Sequence, residues 1–433
     1  MLTSLFTGVS GMNANGTALS AIGDNIANMN TVGFKASRVA FGDVLSQTLA
    51  GVAGNAQVGR GALVSSVSPL FTQGSLQTTE SALDLAIEGD GFFIVGEGAA
   101  KYYTRAGQFQ ISKDGTIVNP DGLTLQGYLA DAAGNITSAT GPLQMAAAQT
   151  PSNVTTTSNI SVNLDASEGT KTWVAIPAAG QAAPPASTAY NKSTTVTVYD
   201  SLGGSHDVTA YFVKTAANAW TAHYVYQDST GNYFEAGSQN LTFNNGTPPN
   251  IGGSLINDNT AAITFNWGGG VANGSISFKY GTGTGETPAG TGMDGTTQFS
   301  SPFSVININQ DGYASGSLKN VQISEDGTIT GVFTNGQTRN IGQVALAKFI
   351  APGGLTKLGR NLYGESYDSG QPIVGNATTS GLGRVLSNTL EQSNVDLAQE
   401  FVKMISSQRG FQANSRIITT TDELMQELVN LKR

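Results

Sequence analysis

His206 and His223 are the only histidines in this 433-residue chain, and it has no cysteine. Histidine is the usual general base and metal ligand near neutral pH. Both fall in strand-like segments, at apparent strand edges, with no nucleophile or ligand partner at a useful spacing, so a structural role is expected. Without cysteine, thiol catalysis, Cys-ligated zinc and a disulfide-stapled fold are excluded. There is no GxSxG, no HExxH and no Gly-Lys pair for a phosphate loop. The run Gly281 to Gly285 has GxGxG spacing, but a proline-bearing loop follows it instead of a helix. Asn307, Asn309, Asp311 and Gly312 imitate the start of a calcium loop, but Leu318 stands where the bidentate glutamate is required, so a β-turn is expected. Glu88 and Asp90 lie at a turn. Trp220, Tyr224 and Tyr226 share one strand face with Ala222 and suit either sugar stacking or a core, more often a core. These residues give no catalytic group, no cofactor site and no metal site.

Composition narrows the class further. The chain has 55 glycines, 12% charged residues and a net charge of −9. Such usage favours sheet with many tight turns. No basic stripe exists, which argues against a nucleic-acid reader. No apolar run of about eighteen residues could span a membrane as a helix. The opening MLTSLFTGVSGM lacks the basic flank and long apolar stretch of a secretory signal.

The positioning elements are most legible at the two ends. Leu5, Val9, Met12, Gly16, Leu19, Ile22 and Ile26 recur at helical steps, as do Leu397, Phe401, Met404, Gln408, Phe411, Ser415, Ile418, Asp422 and Met425. Each set reads as the seam of one helix packed on another. Helices with one apolar stripe are marginal alone, so the two are expected to pair. Ser393 or Asn394 is expected to cap the second helix, with Asp396 and Glu400 in its first turns. The first pattern dissolves within IGDNIANMNTVGFK, where Asn25, Asn28, Asn30, Thr31 and Gly33 precede Phe34. Residues 46–68 and 374–388 are turn-rich and polar and read as linkers. Between them, ISKDGTIVNPDG and ISEDGTIT each place Asp-Gly between alternating apolar residues, a strong hairpin signal. Two near-identical hairpins so far apart imply one β domain built from both flanks, with a second inserted into it. The expected fold is mixed and mostly β: terminal helices forming a coiled-coil stalk (1–30 and 389–433), connecting segments (31–73 and 376–388), an inner β domain (74–149 and 298–375) and an inserted outer β domain (150–297).

The stretch DNIANMNTVGFK resembles the N-terminal signature of bacterial flagellar rod and hook proteins. SNVDLAQEFVKMISSQRGFQANSRIITTTDELMQELVNL is similar to their shared terminal helix. LDLAIEGDGFFIVG, YTRAGQFQISKDGTIVNPDG and IGQVALAKF resemble their common β domain. YDSLGGSHDVTAYF resembles the outer domain of the hook branch. Together the matches cover over half the chain. The resemblance implies a structural, non-enzymatic subunit of a curved helical tube outside the cell, a flexible joint carrying torque from rod to filament. The terminal-helix residues Leu5, Val9, Met12, Leu19, Ile22, Ile26, Leu397, Phe401, Met404, Phe411, Ile418 and Met425 would mediate self-assembly. Asn25, Asn28, Asn30, Thr31, Gly33 and Phe34 would break the helix where the chain leaves an inner tube. The implied partners are many copies of the chain, the distal rod protein, the hook cap, the hook–filament junction proteins and the export apparatus with its chaperone-free gate, with neither nucleic acid nor membrane insertion. Export would proceed without a cleaved signal, and Phe41 with Leu45 resembles the element presented to the export gate. Two other readings stand: a distal rod protein with an enlarged insert, and a secreted β-rich glycan-binding or adhesin module.

Overall fold

The computed structural model of the chain describes residues 2–44, 47–48, 57–58, 60–98, 100–131, 133–145, 149–247 and 250–430. It is mostly β, with a long helix at each end: α1, Leu2–Ala27, and α2, Leu397–Asn430. The chain divides into two compact units. One comprises residues 1–148, 319–332 and 338–433; the other comprises 149–318 and 333–337.

The first unit contains both helices and a sheet. At its centre the strand Thr338–Lys348 pairs with Phe92–Glu97 (Leu346 opposite Phe93), with Thr124–Ala130 (Tyr128 opposite Gln343) and with Ile373–Asn376. Phe92 to Val95 and Val344 to Ala347 are buried without interruption. Short continuous apolar runs of this kind are strands covered on both faces. Phe92 meets Phe71, Phe349 and Tyr363 edge-on at centroid distances of 5.2–6.0 Å, the geometry ring quadrupoles favour.

The two Asp-Gly turns have the same geometry. Ser112 N–H donates to Thr116 O at 2.8 Å, and Ser324 N–H donates to Thr328 O at 3.0 Å. Gly115 and Gly327 take φ of +71° and +81°, which glycine adopts without a Cβ penalty. Each glycine carbonyl then accepts from a neighbouring segment, Gly115 O from Met145 N–H and Gly327 O from Val344 N–H.

The supposed linkers contain strands. Ser37–Asp43 pairs antiparallel with Ala62–Pro69 and Arg384–Ser387 with Leu85–Glu88; Thr389–Glu391, expected at the start of the helical stalk, pairs with Leu76–Thr78. Serine-bearing or very short strands lack the apolar alternation that would have marked them. Residues 389–396 are therefore not helical, and α2 starts at Leu397. Its cap is neither Ser393 nor Asn394. Asp396 Oδ1 accepts from Ala398 N–H and Gln399 N–H at 2.9 and 3.2 Å. Asn394 instead accepts from Ala36 N–H and donates to Leu70 O, both at 2.8 Å.

The second unit is a two-sheet sandwich. A five-stranded sheet runs Lys192–Tyr199, Ser205–Ala216, Ala219–Gln227, Tyr233–Phe243, Leu255–Asn257; a four-stranded sheet runs Ala262–Phe265, Gly274–Lys279, Thr157–Asn163, Ser304–Gln310. The core between them joins Trp220, Tyr224, Tyr226 and Phe212 to Phe265, Trp267, Phe278 and Ile160. Residues 298–318, expected in the inner domain, group with the insert because Ser304–Gln310 pairs with Thr157–Asn163.

Candidate assembly surface

α1 contains four glycines and one charged residue, Asp24, in 26 residues. Glycine weakens an isolated helix by about 1 kcal/mol each relative to alanine, so α1 depends on a partner. That partner is α2, packed antiparallel. A Cβ at Gly8 would lie 3.0 Å from Ile418 Cγ1, one at Gly11 2.7 Å from the Asn414 amide, and one at Gly410 2.9 Å from Asn15 Oδ1. Ala14, Ala18 and Ile22 are buried along the same line, and at its far end Asn25 donates to Glu400 Oε2 at 3.1 Å. Small residues let the two backbones approach closely.

The seam therefore lies about one residue round each helix from the expected one. Of the expected residues, Ile22 is buried, while Leu5, Val9, Met12, Leu19, Ile26, Leu397, Met404 and Ile418 are half-buried. Phe401, Phe411 and Met425 are 47%, 39% and 40% exposed, so they do not form the intramolecular contact. Phe6, Val402, Ile405, Ile417 and Leu424, which the periodicity missed, are exposed too. Large apolar side chains dominate a helical pattern, and here glycine and alanine make the contact while the large residues point elsewhere.

At the break, Asn25, Asn28, Thr31, Gly33 and Phe34 each have a definite task. Asn28 donates to Asp24 O at 2.9 Å, and Thr31 donates to Asn28 Oδ1 at 3.2 Å, which satisfies groups freed where α1 stops. Asn25 is buried; it accepts from Ser37 N–H at 2.8 Å and donates to Ser37 O at 2.9 Å. Gly33 takes φ +69°, and a Cβ there would lie 2.5 Å from Ala106 N, so no other residue fits. Phe34 is buried beneath Lys357, whose Nζ lies 5.2 Å from its ring centroid. Asn30 is exposed. Phe41 lies opposite Val64 and is 52% exposed; Leu45 lies outside the described residues.

The next residue of the same stretch was missed. Lys35 is fully buried, and its Nζ donates to Glu391 Oε1 and to Thr72 O, each at 2.7 Å. Glu391 Oε1 also accepts from Gly74 N–H at 2.8 Å. Arg105 reaches Glu391 Oε2 at 3.5 Å and donates to Gly89 O at 2.7 Å. One buried carboxylate thus binds two buried cations from distant parts of the chain. Burial lowers the pKa of both Lys35 and Arg105, and Glu391 opposes the shift in each. The sequence signal was a charged residue in an apolar or turn-forming setting, in GFK, YTRAG and TLEQ, in a chain with few charges.

The residues first considered for chemistry serve as structure. His223 lies within the central strand Ala219–Gln227, not at an edge; its Nδ1 is 2.7 Å from Glu235 Oε1, and Trp173 stacks on its ring at 4.3 Å. His206 Nε2 is 2.8 Å from Asp200 Oδ2, with Trp267 stacked at 4.2 Å. Asp311 shows no hydrogen-bonded β-turn; it ties two distant segments together by accepting from Thr156 N–H at 2.8 Å. Glu88 pairs with Arg384 at 2.7 Å and Asp90 with Lys348 at 2.9 Å. Trp220, Tyr224 and Tyr226 belong to the sandwich core and offer no open face to a sugar. Among the described residues no cluster of acidic or histidine side chains could hold a metal ion, and no helix is long and apolar enough to cross a membrane.

Comparison with known proteins adds the context. Four family profiles match: the flagella basal body rod protein over residues 5–35, the flagellar hook protein FlgE/F/G D1 domain over 86–167, the flagellar basal body protein FlaE D2 domain over 163–313, and the flagellar basal body rod FlgEFG protein C-terminal over 386–431. The flagellar hook protein FlgE of Borreliella burgdorferi is 37% identical, with all of both chains covered. That of Escherichia coli K12 is 35% identical, and that of Salmonella typhimurium 33%, each over 98% of both chains. The crystal structure of Helicobacter pylori flagellar hook protein FlgE2 shares the fold at a TM-score of 0.50 and 15% identity, over 73% of this chain and 100% of that one. On sequence along its whole length and on fold, the chain belongs to the flagellar hook protein family.

Proposed function

We propose that the chain is the structural subunit of the flagellar hook, building a curved helical tube by head-to-tail contacts that never close on themselves. The tube acts as a universal joint between rod and filament, and the α1–α2 pair lines its inside as a coiled-coil stalk. The supporting observation is the apolar face that the pair leaves uncovered. Phe401, Val402 and Ile405 stand together, 47–68% exposed, on a helix already packed against α1, with Phe411, 39% exposed, at the flank of that group. Contiguous exposed apolar side chains mark an interaction surface, and in a homopolymer other copies cover it. The distal rod protein, hook cap and junction proteins would meet the tube at its ends. Export through the flagellar apparatus would deliver the chain unfolded, with Phe41 part of the recognised element.

The test is substitution on that face. Phe401→Asp or Phe411→Asp should abolish polymerisation, followed by light scattering and electron microscopy. Thermal melting of the β units should barely change, because neither side chain is in a core. A parallel loss of β-unit stability would place these residues inside the fold and refute the assignment.

A further inference from the structure

Beyond the apolar patch, the same outward stripe of α2 carries charge in two blocks. Arg409 and Arg416 occupy its middle, and Glu423 and Glu427 its far end; all four are exposed. Arg409, Arg416 and Glu423 follow steps of seven, which drift by only about 20° per repeat, and Glu427 lies one turn further on, so the four stay in line. Among the described residues, none of the four forms an ion pair within the chain. The acidic block is unfavourable as it stands. Glu423 and Glu427 are like charges one turn apart, and with Asp422 they lie toward the helix C-terminus, where the macrodipole disfavours anions. No basic side chain occupies the last described turn; Lys432 and Arg433 lie beyond it, outside the described residues. α1 cannot supply the missing partners, since its only charge is Asp24 at the opposite end of the pair.

We infer that the two blocks pair between copies: Glu423 and Glu427 of one α2 bind Arg409 and Arg416, respectively, of an α2 in a neighbouring copy. This rests on the polymer proposed above and adds the register of its inner layer. Head-to-tail subunits hold their helices parallel, so the pairing needs an axial offset. Arg416 and Glu427 are eleven residues apart in sequence, and Arg409 and Glu423 fourteen. At about 1.5 Å per residue, neighbouring copies of α2 are displaced by ~16–21 Å. The basic middle of each helix then meets the acidic end of the next, and the apolar side chains at 401, 402 and 405 are carried into the same contact. Aligning two helices without an offset would instead set arginine against arginine and glutamate against glutamate, so the pattern selects one register and rejects the in-line one.

Charge reversal tests this in the full-length chain. R409E/R416E makes the stripe wholly acidic, and E423R/E427R makes it wholly basic. Each should raise the critical concentration for polymerisation by about tenfold or more, since several pairs are lost and like charges replace them. The fourfold variant R409E/R416E/E423R/E427R restores opposite blocks and should return to within about threefold of the unaltered chain. Circular dichroism on each variant checks that helix content is retained. Two-site variants that polymerise like the unaltered chain, or a fourfold variant as defective as they are, would overturn the register. That outcome would leave the apolar-face reading standing, because only Phe401→Asp and Phe411→Asp test it.

Discussion

At the residue scale, the buried group Lys35, Glu391 and Arg105 makes the sharpest claim. It joins the segment leaving α1, the segment leading into α2 and a loop of the sheet, with the single carboxylate at its centre. Removing that charge leaves two buried cations without an anion. Glu391→Gln should therefore cost roughly 3–5 kcal/mol in denaturant unfolding. Lys35→Met should cost less, because Arg105 and Gly74 N–H still satisfy the carboxylate. An equal cost for both would show that packing rather than charge holds the group. In the second unit, Tyr224 and Tyr280 share a hydroxyl–hydroxyl bond of 2.8 Å inside the core. Burial raises the pKa of each above the ordinary tyrosine value. A raised folded pKa gives stability that is intact below the unfolded value and is lost as pH climbs past it. The sandwich should thus weaken above pH ~10, by about 1.4 kcal/mol per pH unit for each such tyrosine. Urea titrations from pH 9 to 11 should show a shallower decline for Tyr280→Phe; an unchanged slope would mean that the ring is reached by water.

At the element scale, the helices show what a sequence displays and what it hides. Their existence, their pairing and the break after Ile26 were legible, because apolar periodicity and the Asn-rich stretch are strong local signals. The contact face was not. Gly8, Gly11, Ala14, Ala18 and Gly410 contribute through the absence of side chain, and a pattern search weights what is present. The strands Ala62–Pro69 and Arg384–Ser387 escaped for a related reason, since serines dilute the alternation of the first and the second is only four residues long. The Asp-Gly turns were legible because a left-handed residue nearly demands glycine. The close seam is testable: Gly8→Leu forces bulk against Ile418 and should separate the helices, lowering helical circular dichroism and blocking polymer formation. Preserved helicity with normal assembly would show that the pair has slack. Asp396→Ala should cost about 1 kcal/mol of α2 stability through loss of its cap.

At the scale of the whole molecule, each unit has its own core, while the helix pair has only a thin seam of small residues and an uncovered apolar face. Isolated helices rarely persist on propensity, so under the proposed assembly the pair gains further burial when copies meet. Deleting residues 2–27 and 397–430 keeps Lys35, Arg105 and Glu391 together. The remaining protein should stay monomeric in sedimentation at concentrations where the full chain polymerises. The most direct measurement is electron cryo-microscopy of the full-length polymer. A hollow, curved tube with Phe401, Ile405 and Phe411 buried against helices of neighbouring copies is the expected result. A polymer held together through the β units alone, with those three side chains facing solvent, would contradict it.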